Sequence, residues 1–268
     1  MRIKQVMFAL IFITAAIVLA VIVLRLVFAL PDISQRERQE ALAADPSTLL
    51  GRLLETGATA HPGKTGVLPL ADGKDALASR LELIERAQGS IDAQYYIWHD
   101  DTSGILLLDA LREAAARGVR VRLLLDDNGV PGLDLYMAAL NALPNFHIRL
   151  FNPSTVRRPK LFGYTFDFFR MNRRMHNKSF IVDGAAAIVG GRNIGDEYFQ
   201  IDEAFYVDMD VLATGAILPE TAMVFDEYWN SASVFEVEKI ISGPGDLQGF
   251  HARVAQVRED VAAHRLLR

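Results

Sequence analysis

The residues able to do chemistry crowd into one stretch of this 268-residue chain: His176, Lys178 and Asp183, then Gly190, Gly191 and Asn193. An imidazole can attack an electrophile or donate a proton, and an ammonium two residues away can neutralise developing charge on oxygen. If residues 177–182 form a strand, its period-two alternation puts His176 and Lys178 on one face. Such a pair suits attack on a phosphorus centre whose oxygens are anionic. A lone core histidine would not bring Lys178 and Asn193 with it. Asp183-Gly184 reads as a turn and residues 186–189 as the returning strand. Gly190-Gly191 lets the backbone approach a ligand closely, and the Asn193 amide can donate to a phosphoryl oxygen. The catalytic candidates are therefore His176, Lys178 and Asp183, with Asp183 holding its turn by accepting backbone N–H groups. Phosphate binding falls to Lys178, Asn193 and Gly191. Asp208 is the candidate carboxylate to orient the His176 ring through its far nitrogen, with Asp210 and Glu197 behind it. Gln94 and Tyr95 lie on a strand running toward the site, where core packing and capping explain them equally well.

The elements that must position these residues alternate along the chain. Residues 76–87 have helical apolar spacing, 91–98 read as a strand, and 103–117 as an amphipathic helix stopped at Gly118. A strand at 119–125 opens onto Asp126-Asp127-Asn128-Gly129, followed by a helix at 133–143 and a strand at 146–151. After the motif hairpin come a strand at 206–212 and a helix at 219–230. This order predicts an α/β fold: a mixed, mostly parallel sheet flanked by helices.

About half of the residues are apolar and the net charge is −5, so the chain can bury one good core and carries no general basic field for nucleic acid. There is no cysteine, which excludes disulfides and thiolate metal sites. Residues 6–24 hold no charge and are long enough to cross a bilayer, with Arg2 and Lys4 before them. A cleaved signal peptide is the alternative, but the run exceeds the usual apolar core of one. The expectation is a single-pass anchor in the inner (cytoplasmic) membrane over residues 1–30, its short basic flank placing the body in the periplasm. Residues 31–66 read as a stalk or linker, helical over 33–54. Residues 153–174 interleave six basic residues with five aromatics, a pattern open to a lipid surface, to single-stranded nucleic acid, or to an ordinary surface segment.

The spacing His176-x-Lys178-x4-Asp183, then Gly190-Gly191-x-Asn193, resembles the phospholipase D superfamily, with glycine at 191 where many members have serine. The stretches 90–98, 122–127, 193–199 and 225–230 are similar to the bacterial cardiolipin synthase branch, closest to its C type. The resemblance implies a phospholipase D-like α-β-α sandwich half over residues 67–235. Residues 236–268 would then be a linker and C-terminal helix, the start of a missing second half. It further implies a phosphatidyltransferase or phospholipase that acts through a covalent phosphohistidine without metal or cofactor, on phosphatidylglycerol or phosphatidylethanolamine. Such enzymes use two facing motifs, and this chain has no second His-x-Lys pair. The other histidine is expected from a missing half, or else from a homodimer mate as in single-motif nucleases of the superfamily. A half-length product without activity is the third possibility.

Overall fold

The computed structural model describes residues 2–266. The chain begins with α1 (Arg2–Val27), then α2 (Leu49–Ala60), β1 (Thr65–Leu70), α3 (Gly73–Arg86) and β2 (Ser90–Tyr95). Next come α4 (Thr102–Ala116), β3 (Arg120–Asp126), α5 (Asp134–Asn141), β4 (Phe146–Phe151) and α6 (Tyr164–Met171). The motif supplies β5 (Ser179–Val182) and β6 (Ala186–Gly190), followed by β7 (Asp210–Gly215) and α7 (Leu218–Trp229). β8 (Val234–Glu236), α8 (Val237–Ile240) and α9 (Leu247–Leu266) complete it.

Eight strands form one open sheet in the order β1-β7-β6-β5-β2-β3-β4-β8. Helices cover both faces, as an α-β-α sandwich requires, and the alternation of side chains shows which face each strand residue serves. Leu123 and Leu125 join the core under α3, α4, α5 and α9, while Leu124 joins Ile181, Ala187, Phe225 and Trp229 under α7. The sheet departs from the expected parallel majority. Only β2–β3 and β3–β4 run parallel; the other five pairings are antiparallel. The two parallel pairs are those joined by α4 and α5, since a parallel return needs a crossover. The tight turn between β5 and β6 permits only the antiparallel arrangement. That turn is as expected: Asp183 (φ 52°) and Gly184 (φ 59°) both take left-handed backbone, the I′ geometry matched to strand twist.

Two other segments depart from their sequence expectations. Residues 33–48 are not helical. The Arg36 guanidinium donates to the Asn230, Ser231 and Val234 carbonyls, Gln39 N–H to Asn230 Oδ1, and Ala41 N–H to Asp226 Oδ2. The segment is thus a strap across the end of α7, and the helix starts only at Leu49 behind the Thr48 cap, which accepts from Gly51 N–H at 3.0 Å. Past residue 235, where the sequence expectation ended the domain, β8 and α8 continue it. α9 buries Phe250, Val254 and Val257 in the same core. By contrast α1 is bare: residues 3–27 have mean hydropathy 3.1 and no buried share, long and apolar enough to cross a membrane.

Charge is buried inside this sandwich. Arg80 and Asp210, each about 1% exposed, pair at 2.8 Å, and Arg80 also donates to the Tyr95 hydroxyl at 3.0 Å. Arg122 lies between Asp92 and Asp226, with its guanidinium over the rings of Phe225 and Trp229. Removing one member of a buried pair strands the other without solvent. Arg80→Met is therefore expected to cost about 3–5 kcal/mol, seen as a lower thermal midpoint in detergent. Arg80→Met combined with Asp210→Leu should cost less than the sum of the two single changes.

Candidate active site

β5 starts just after the catalytic candidates, so the approach to that strand decides where they point. Met175 is the anchor: its N–H donates to Asp126 Oδ2 at 2.9 Å, and its sulfur takes the Gln94 side-chain amide at 2.9 Å. His176 is therefore turned outward and exposed, while Lys178, only 8% exposed, rises from the sheet to meet it. Lys178 Nζ lies 3.2 Å from both imidazole nitrogens and donates to the His176 carbonyl at 2.9 Å. The expected sharing of one face thus holds. Burial lowers the Lys178 pKa, while the carboxylates of Asp208 and Asp210 act against that shift. The Tyr96 ring closes the other side, its centroid 5.1 Å from the imidazole and 5.7 Å from the ammonium.

Asn193 is fixed from two directions. Its Oδ1 accepts from Ile97 N–H at 3.1 Å and its Nδ2 donates to the Tyr198 hydroxyl at 3.0 Å. A carboxamide nitrogen carries two hydrogens, so one remains available to a ligand. Ile97 follows Tyr96 directly, which brings Asn193 to the same end of β2 as the imidazole.

Three expected roles are corrected. Asp183 is not at the site: it lies beyond the opposite end of β5 and is 3% exposed. Its carboxylate receives the N–H groups of Gln88, Gly89 and Ser90, so it fixes the α3–β2 connection and not merely its own turn. Gly191 is no phosphate donor, because its N–H is spent on the Met209 carbonyl at 3.1 Å. A Cβ there would meet the Asp208 carboxylate at 2.0 Å, so the glycine makes room for that group. Asp208 precedes β7 and does not lie on it. It covers Gly191 and accepts from Met209 N–H, and among the described residues the imidazole's hydrogen-bonding neighbour is Lys178. The two reserve carboxylates are also committed elsewhere, Asp210 to Arg80 and Glu197 to His99 Nδ1 at 3.2 Å.

Residue types alone point to neither Tyr96 nor Asp126. Of the tyrosine pair they single out Tyr95, which is buried against Arg80. β2 and β5 pair with Gln94 opposite Ser179, so one step outward sets Tyr95 beside Lys178, and Tyr96 beside Asn177. Strand parity would put Tyr96 on the face away from the imidazole, so their contact is made past the strand ends, where β2 has stopped at Tyr95 and β5 has not begun. Asp126 closes a hydrophobic strand, which sequence shows, but its bond to Met175 crosses 49 residues, which sequence does not. A further cluster, His99, Asp101 and Glu197, brings its ligand atoms within 4.8 Å. Asp101 is already the cap of α4, accepting from Gly104 and Asp196 N–H groups, so no metal role follows from the cluster.

The fold is an open α-β-α sandwich with an imidazole and an ammonium at the lip of its central strands. The family model described as cardiolipin synthase, PLD-like domain, matches residues 81–229. The chain belongs to this family. Cardiolipin synthase C of Escherichia coli K12 is 48% identical over 210 residues, covering 78% of this chain and 44% of that one. The major cardiolipin synthase ClsA of Bacillus subtilis 168 is 34% identical over 170 residues, covering 61% and 33%. The chain thus spans less than half the length of these relatives. The fold is shared with phosphatidylserine synthase of Haemophilus influenzae Rd KW20, at TM-score 0.52 and 17% identity over 74% of this chain and 44% of that one.

Burial raises the Asp126 carboxyl from the ordinary 3.8 to about 6, against the lowering by Arg174 and by the N–H groups of Met175 and Asn128. A carboxyl that holds its proton more tightly when folded favours the fold at acid pH. Its contribution falls as pH rises from about 4 to about 6 and is constant above, by up to ~3 kcal/mol. Unfolding of the wild type and Asp126→Asn, measured across that window, should show the decline only in the wild type. Parallel curves would contradict the assignment.

Proposed function

We propose that the chain carries one half of a phospholipase D-type site that transfers phosphatidyl groups, taking phosphatidylglycerol or phosphatidylethanolamine as donor. The observation behind this reading is the exposed imidazole of His176 held 3.2 Å from the Lys178 ammonium. His176 attacks phosphorus, a P–N bond forms, and the bond from phosphorus to the headgroup oxygen breaks. A second imidazole protonates the departing alkoxide and then deprotonates an incoming alcohol or water, whose oxygen displaces His176. With the glycerol hydroxyl of another phosphatidylglycerol as acceptor, the product is cardiolipin; with water it is phosphatidic acid.

Lys178 and the free amide hydrogen of Asn193 stabilise the charge that gathers on the non-bridging oxygens. The ammonium donates to the imidazole and its carbonyl only until phosphate oxygens replace them. The second imidazole comes from outside the residues described. It belongs either to the additional length that the relatives have or to a second copy across a twofold axis. α1 is the anchor, spanning the inner membrane with Arg2 and Lys4 on the cytoplasmic side and the domain in the periplasm.

Nucleic acid is the poorer substrate for this surface. Arg157, Lys160, Arg170 and Arg174 pair internally with Asp127, Asp134, Asp167 and Asp126, which leaves no continuous basic groove over residues 153–174. Where a second copy supplies the other imidazole, phosphatidylglycerol labelled at phosphorus, incubated in detergent and resolved on thin layers, should give cardiolipin or phosphatidic acid with the wild-type chain and neither with His176→Ala; where the additional length supplies it, this chain alone gives neither. Equal product in both would remove His176 from the mechanism. Specific activity that climbs with chain concentration would assign the second imidazole to a second copy.

A further inference from the structure

The basic and aromatic segment before the motif resolves into two sets of residues. Its paired charges face inward, while Leu161, Phe162, Phe168 and Phe169 face out, Leu161 and Phe169 being 77% and 78% exposed. In sequence, Arg158 and Arg173 flank this patch. Both residues are exposed, and neither guanidinium has a partner among the described residues. An apolar patch flanked in sequence by unpaired cations matches the boundary of an anionic leaflet, where rings reach acyl chains and arginines meet phosphates.

The position of α1 says which surface covers it. α1 and α6 pack together. The Phe28 ring stacks on Phe166 with centroids 5.6 Å apart and meets Phe162 edge-on at 6.3 Å. Arg25 Nε donates to the Phe166 carbonyl at 2.7 Å and pairs with Asp167 at 3.5 Å, and Thr155 Oγ1 donates to the Phe28 carbonyl at 2.9 Å. Val21, Leu24 and Phe28, on one face of the helix end, are partly buried where most of α1 is bare. α1 is about 39 Å long, more than the hydrocarbon thickness of about 30 Å, so its last turns reach the headgroup level. A segment bolted to those turns lies at that level too.

We propose that Leu161, Phe162, Phe168 and Phe169 form a wedge inserted into the same leaflet that α1 leaves, with Arg158 and Arg173 bound to anionic lipid phosphates. The inference rests on α1 being a membrane span, the reading given above. Arg173 stands three residues before His176, so the wedge brings the nucleophile to the headgroup plane. Lipid then enters sideways from the leaflet and need not be lifted through water.

The chain's lack of cysteine allows a direct test. Nitroxide labels are placed on the full chain as Leu161→Cys, Phe169→Cys, Ile13→Cys in α1, and Glu85→Cys at the far end of the sheet. Each is reconstituted in phosphatidylglycerol–phosphatidylcholine vesicles and in phosphatidylcholine alone. Collision with oxygen should exceed collision with a water-soluble nickel chelate severalfold at 161, 169 and 13, with the reverse at 85. Arg158→Gln with Arg173→Gln should shift the 161 and 169 labels toward water in the phosphatidylglycerol vesicles only. Labels at 161 and 169 as wet as 85, while 13 is inserted, would overturn the wedge and leave the span standing. A wet label at 13 would overturn both. Dipolar broadening between labels on different copies would assign the patch to a protein contact and overturn the wedge. No readout depends on turnover, so failure here is distinguishable from failure of the transferase reading.

Discussion

The architecture of the site depends on a carboxylate from which water is excluded. Asp210 opens β7 and receives Arg80 from α3 and the Arg192 N–H at 3.2 Å, with the Arg192 guanidinium 3.7 Å away. Buried charge of this kind adds little net stability, because desolvation offsets most of the attraction, but it penalises every arrangement that leaves a member unpaired. The penalty sets the path of residues 190–193. Arg192 continues to the carbonyls of Leu70, Ala71, Tyr198 and Asp208, tying the end of β1 and the approach to β7 into the same knot. Gly190 and Gly191 are needed because the carboxylates of Asp210 and Asp208 occupy the places where their Cβ atoms would stand.

The reactive side chains stand on positions held by backbone bonds to carboxylates and amides. Asp126 holds Met175, Asp183 holds residues 88–90, and Asn193 holds Ile97. Each is a charge-assisted or buried bond to a main-chain N–H, stronger and more directional than a contact between flexible side chains. Such a scaffold leaves the imidazole and the ammonium free to exchange partners while their bases stay fixed, which is the preorganisation that the proposed phosphoryl transfer requires.

Much of this was legible from residue types and spacing. The turn at Asp183-Gly184, the shared face of His176 and Lys178, and the alternation of helices and strands follow from local periodicity and hold in three dimensions. The family-like stretch 225–230 also has a physical role, since Asp226, Trp229 and Asn230 bind Arg122, Gln39 and the strap. What failed was non-local. Residues 33–48 have helical composition, but their N–H groups and arginine find better partners on α7. The strand expected to run to Trp98 ends at Tyr95 because Ile97 N–H goes to Asn193 and Trp98 N–H to the Gly129 carbonyl. The expected role of Asp208 rested on spacing alone, which carries no information on which of three nearby acids turns toward a ring.

If α1 spans a membrane, its joint with α6, reinforced by the strap over α7, makes it a rigid mount and not a leash. A rigid mount restricts symmetry. Should two copies share their histidines, both membrane helices must enter the same bilayer side by side, so their rotation axis has to stand along the membrane normal. A partner half fused in one polypeptide and lacking such a helix is under no such restriction, and its tilt is free to follow the protein interface alone.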